Sequence, residues 1–124
     1  MSLDRTNEDS NDALLEFLKV ISGRRIEDER RRRRLTQRQL SVRTGLSIRW
    51  LREIEGGNPI VKLDDHLRCA GALRLAPTYI FLPLLYRSYG RVCPIDVGIT
   101  DLTDLEQRTL ALATRHLGRQ HLGR

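Results

Sequence analysis

From Asn11 onward, apolar residues return every three or four positions. Leu14, Phe17, Leu18 and Ile21 share one side of a helix, and Ile26 resumes the stripe after Gly23. Gly23 weakens that helix without ending it, and the helix runs on through five consecutive arginines, Arg30 to Arg34. Residues 1–10 carry no such stripe and read as a disordered lead-in. Two short helices follow. Thr36 and Gln39 have the spacing of a capping box, Leu40 points inward, and Gly45 is free to take the left-handed conformation that stops the helix. Ser47 caps the next one, with Leu46 and Leu51 at the two positions of a hydrophobic staple. Leu51 and Ile54 form its inward stripe, and Gly56, Gly57 and Pro59 end it.

A fourth helix is expected over 63–73, with Leu67, Ala70 and Leu73 inside. A fifth covers 77–86, with Pro77 in its first turn. "GRVCPIDVGI" reads as an irregular connection. "TDLE" at Thr103 has capping-box spacing and opens a last helix reaching about residue 117, and "HLGRQHLGR" reads as a basic, frayed tail. The leucines at 102, 105, 112 and 117 fit either the closing of a core or a partner surface. The pattern predicts an all-α protein, a compact bundle of five helices with a C-terminal helical extension. It divides into a lead-in (1–10), a bundle (11–86), and a linker with a helix that is a candidate dimerisation segment (87–124).

Charge sharpens this picture. Formal net charge is +6, and 20 of the 22 basic residues are arginine. Eleven of them lie between Arg24 and Arg52 against only Glu27, Asp28 and Glu29, so the rest of the chain is slightly acidic. Such concentration points to a polyanion-binding face. A solvated surface is the bland alternative, and the Arg30–Arg34 run fits either reading. Spacings of four place Glu27, Asp28 and Glu29 before Arg31, Arg32 and Arg33, which relieves part of the repulsion. Aromatic content of 5% speaks against a stacking platform for single strands.

Projected at about 100° per residue, the helix after Ser47 sets Arg49, Arg52 and Glu53 opposite its inward stripe. Ser47 and Ile48 stand at its start. Two donor forks, one carboxylate and an apolar edge match the groups that read base edges in the major groove. Glu53 only costs affinity on a pure phosphate surface, so its place there favours base reading; an intrahelical pair with Arg49 is the alternative. Gln37, in the first turn of the second helix, meets N–H groups and a dipole suited to a phosphate, with Arg38 and Arg43 on either side. An ordinary helical hairpin is the competing reading of the whole stretch.

Residues 23 to 75 resemble the lambda-repressor and Cro-like class of helix-turn-helix domains, the xenobiotic-response-element family. The matching residues are "GRRI" at 23, Arg30, "LTQ" at 35, Leu40, "TGLS" at 44, "LREIEGG" at 51 and "AGAL" at 70. The resemblance implies a bundle whose third helix enters the major groove. It implies phosphate contact by Gln37, base or adjacent backbone contacts by Ser47, Ile48, Arg49 and Glu53, and a structural ion pair between Arg30 and Glu55. Arg34 departs from the family where Gly is frequent, Glu29 where an apolar residue is, and Ser41 where Ala is. Ile48 and Trp50 are bulkier than usual on the reading helix.

The expected function is sequence-specific binding of double-stranded DNA by a homodimeric regulator, with repression the commonest outcome in that class. One alternative is the DNA-binding antitoxin of a toxin–antitoxin pair, with a protein partner on the C-terminal helix. Another is a protein-binding adaptor that presents Ile48 and Trp50. No nucleophile–base pair or phosphate-cradling loop is present, so neither enzymatic activity nor a cofactor is expected. His66 and Cys69, with Cys93, His116 and His121, match no zinc spacing and read as a buried cysteine and exposed histidines. Two cysteines form no disulfide framework. With no signal-like opening and no membrane-length apolar run, the cytoplasm is the expected compartment.

Overall fold

The computed structural model describes residues 3–94 and 102–122, with side chains over 11–94 and 102–119. The chain divides into two units, Met1–Pro94 and Ile95–Arg124. The first holds α1 (Leu3–Arg32), α2 (Gln37–Thr44), α3 (Ile48–Glu55), α4 (Leu63–Ala72) and α5 (Thr78–Ser88), and the second holds α6 (Thr103–Leu122). The described residues are all-helical, with no strand. Three bounds differ from expectation. α1 begins at Leu3, so the stretch read as disordered is helical from there; the first unit extends past residue 86 to Pro94; and α6 continues to Leu122 through much of the segment read as a frayed tail.

Local chemistry sets the helix ends. Thr36 Oγ1 accepts the Gln39 N–H while Gln39 Oε1 accepts the Thr36 N–H, completing the capping box. Ser47 Oγ accepts the Trp50 N–H at 3.0 Å. α1 stops in a Schellman motif, in which Leu35 N–H bonds to Arg30 O and Arg34 N–H to Arg31 O. α4 stops the same way, through Leu75 to Ala70 and Arg74 to Gly71. The left-handed position, which glycine usually fills, is held by Arg34 (φ 57°) and Arg74 (φ 53°). A side chain there costs about 1–2 kcal/mol, partly offset because arginine leaves the unfolded chain less free than glycine does. Arg74→Gly is therefore expected to stabilise the domain by about 0.5–1 kcal/mol, visible as a higher midpoint in thermal denaturation.

One core cluster joins Ile26 of α1, Leu40 of α2, Leu51 and Ile54 of α3, Val61, and Cys69 and Leu73 of α4. Leu46 and Trp50 pack on its edge. A second cluster of Leu18, Ala70 and Ile80 docks α5 onto α1 and α4. Burial pushes the Cys69 thiol up to about 12, which leaves it a packing group rather than a reactive one. Cys69 and Cys93 are both free.

The inward face of α4 is centred one residue earlier than the periodicity suggests. Leu67 is 48% exposed, whereas His66 is fully buried with Cys69, Ala70 and Leu73. Two expectations are corrected here: Leu67 is not a core residue, and His66 is not an exposed histidine. A polar partner permits the burial, since His66 Nδ1 lies 2.7 Å from Ser22 Oγ, itself fully buried on α1. His66 Nε2 is buried without a partner. Burial and the nearby Lys19 ammonium lower the His66 pKa to about 4. Below pH 6.5 the unfolded chain therefore binds a proton that the folded chain refuses, and stability falls with falling pH until about pH 4. About 2 kcal/mol should be lost by pH 5. Urea unfolding at pH 7 and pH 5 checks this, and His66→Gln should flatten the difference.

In the second unit, Leu105, Leu110, Leu112 and Leu117 of α6 are between 40% and 62% exposed. Arg108 and Asp104 pair at 2.9 Å one turn apart. Among the described residues no helix is long and apolar enough to cross a membrane.

Candidate nucleic-acid interface

The site is built on α3, and α3 is fixed mainly at its carbonyl end. α1 crosses that end at Gly23, where an added Cβ would lie 2.3 Å from Ile54 O and 2.9 Å from Glu55 O. Only a residue without a side chain allows so close an approach. One turn earlier on α1, Lys19 Nζ donates to Pro59 O at 2.7 Å, just past the end of α3. Arg30 and Glu55 complete the attachment. Arg30 Nε donates to Glu55 Oε2 at 2.7 Å and Nη2 to Oε1 at 3.0 Å, with both residues buried. Arg30 Nη1 also donates to Leu35 O, which ties in the turn before α2. The hydrogen bond to Glu55 raises the already high Arg30 pKa, so the guanidinium is charged at every accessible pH.

The turn between α2 and α3 is held by two hydroxyls. Ser41 Oγ donates to Leu46 O, and Thr44 Oγ1 donates to Leu40 O while accepting the Leu46 N–H. Ser41, a departure from the usual alanine, thus locks the angle at which α3 leaves α2. With Leu51, Ile54 and Glu55 inward, Ser47, Arg49 and Arg52 are exposed and Ile48 and Glu53 half-buried. Arg38 and Arg43 of α2 are exposed on the same helix pair, and Gln37 is half-buried.

Several side chains have partners that spacing did not disclose. Glu53 Oε2 accepts from Asn58 Nδ2 at 2.7 Å, so this carboxylate is tied to the turn after α3. Trp50 Nε1 donates to Asp65 Oδ2 at 2.7 Å, which turns the indole toward α4 and away from the outer face. Gln37 Nε2 donates to Glu55 Oε1 at 3.1 Å and its Oε1 accepts from Arg52 Nε at 3.3 Å. Within the Arg30–Arg34 run, Arg32 pairs with Glu29 rather than Asp28, Arg33 also pairs with Glu29, and Arg31 lies 3.8 Å from Glu27. The Arg32 hydrogen bond in particular holds the half-buried Glu29 below the usual carboxylate range. A glutamate where an apolar residue is common therefore acts as a counterion to the run. With Arg30 spent on Glu55, four of the five cations have carboxylate neighbours.

The resulting surface has exposed guanidinium groups on a capped helix whose opposite face is core. Among the described residues no group of three or more His, Cys, Asp or Glu is arranged to hold a metal ion. Residues 23–78 match the family model of a helix-turn-helix domain. The matched segment takes in the end of α1, all of α2, α3 and α4, and the first residue of α5. No curated protein and no solved structure matches the chain.

Proposed function

We propose that this is a cytoplasmic, sequence-specific regulator of transcription that binds double-stranded DNA as a homodimer, most simply as a repressor that occludes its operator. Its narrower class is the lambda-repressor and Cro-like one, a reading supported by the buried Arg30–Glu55 pair. The observation that carries the function is the outer face of α3, where Arg49 and Arg52 are exposed while the carbonyl end of the helix is fixed. Arg49, Arg52, Ser47, Ile48 and Glu53 contact bases or the adjoining backbone in this reading, and Gln37, Arg38 and Arg43 contact phosphates. Phosphate contact supplies salt-sensitive affinity and α3 supplies sequence preference.

An eight-residue helix spans about 12 Å and reads few base pairs, so two half-sites are needed for useful specificity. The exposed leucines of α6 support its use as the dimer contact. They equally suit a partner protein in the antitoxin reading, which light scattering of the chain alone and with its genomic neighbour separates. The adaptor reading loses its apolar edge, because Trp50 is half-buried and bonded to Asp65.

Selection from a random duplex pool tests the proposal. Recovery of an inverted repeat supports a dimeric operator-binding regulator, and a folded protein that enriches nothing overturns it. Arg49→Ala is expected to relax preference at particular base positions and to cost about 1–3 kcal/mol. Uniform weakening on every duplex would instead assign Arg49 to phosphate.

A further inference from the structure

We propose that Gln37 is a positioning residue for Arg52, holding its guanidinium in place for base reading before DNA arrives. This rests on the DNA-binding reading of α3. The polarity of the hydrogen bonds runs one way. Glu55 carries only acceptors, so the amide nitrogen of Gln37 must face it, at 3.1 Å from Oε1. The amide oxygen is thereby turned toward α3, where Arg52, which carries only donors, gives its Nε–H at 3.3 Å. Flipping the amide would set its oxygen against a carboxylate and its N–H groups against a guanidinium. The orientation is therefore fixed by charge at both ends.

The anchor of this relay is not itself free to move. The same Glu55 carboxylate accepts two hydrogen bonds from the buried Arg30. A line of contacts thus leads from α1 through Glu55 and Gln37 to an exposed arginine on the outer face. Arg52 uses only Nε in this contact, and its two Nη groups have no partner among the described residues. Those Nη groups form the fork that meets guanine O6 and N7. Arginine carries large rotamer entropy, and part of it is removed before binding when Nε is held.

A purely phosphate-binding Gln37 and a positioning Gln37 predict different results. The full-length chain, Gln37→Met, Arg52→Lys and the double variant are each measured against the selected duplex and its single base-pair changes, with helicity checked by circular dichroism. Lysine keeps the charge but lacks Nε, and methionine keeps the length but lacks the amide. Each single variant should lower discrimination at the same base pairs by about 5-fold or more, and the double variant should discriminate no worse than Arg52→Lys, whatever uniform affinity it loses with the Gln37 phosphate contact. If Gln37→Met weakens all duplexes by one factor and leaves the profile intact, the positioning role is overturned and the DNA-binding reading stands. An unchanged profile in Arg52→Lys also overturns it, and if Gln37→Met loses helicity, Gln37→Ala carries the same comparison. A wild-type chain that enriches no duplex overturns both readings together.

Discussion

Glu55→Ala is expected to destabilise the first unit by about 3–5 kcal/mol. Glu55 and Arg30 are both buried, at 9% and 8% exposure, and joined by two hydrogen bonds. Removing the carboxylate leaves the guanidinium away from water with the Leu35 carbonyl as a hydrogen-bond partner and only the more distant Glu27 carboxylate to offset its charge. It also removes the acceptor of Gln37. The loss is a large share of the 5–15 kcal/mol by which domains are ordinarily stable. Urea unfolding followed by circular dichroism measures it. Replacing both partners with apolar residues of similar volume, Arg30→Met with Glu55→Leu, should cost much less, because no charge is then stranded. A single-variant loss below about 1 kcal/mol would show that Arg30 reaches water and that the pair acts as a surface bridge.

Features set within a few residues were legible in the sequence. The Thr36–Gln39 box, the Ser47 cap, the αL stop at Gly45 and the Leu51–Ile54 stripe all follow from spacings of three to five, and the structure contains each of them. The helix bundle and the outward placement of Arg49 and Arg52 follow from the same periodicities. Partners across elements did not follow from spacing; the Arg30–Glu55 pair, twenty-five positions apart, is expected from the family resemblance alone. Trp50 meets Asp65, fifteen positions away, and Gln37 meets Arg52 and Glu55 at separations of fifteen and eighteen. No periodicity links such pairs. Glu53 reads as a base contact or as a partner for Arg49, and spacing does not disclose that its Oε2 accepts from the Asn58 amide, five positions on. The phase of α4 was misread because Leu67 outranks His66 on any hydropathy scale, while the burial of His66 depends on Ser22, forty-four residues earlier. The arginine run looked like a single feature. It is divided among a buried pair, two ion pairs with Glu29, a loose pair with Glu27 and the left-handed Arg34.

Gly23→Ala sets two rules against each other, and its sign shows which governs the site. In an open helix, Gly→Ala gains up to about 1 kcal/mol from propensity. Gly71, on α4 with open space around its Cβ position, should behave this way. At Gly23 the added Cβ would meet the Ile54 and Glu55 carbonyl oxygens at 2.3 and 2.9 Å. These are backbone atoms at the fixed end of α3 and cannot swing aside as a flexible side chain does, so α1 and α3 must separate. The expected result is a loss of about 3 kcal/mol, at the upper end of overpacking costs. Thermal and urea unfolding of Gly23→Ala beside Gly71→Ala measures both. The shift would also strain the Arg30–Glu55 pair and move the carbonyl end on which the orientation of α3 depends. DNA affinity should therefore fall even under conditions where the variant stays folded. If Gly23→Ala instead gained stability as Gly71→Ala does, the close approach of α1 to α3 would not exist in solution, and the fixed orientation of α3 would lose its principal support.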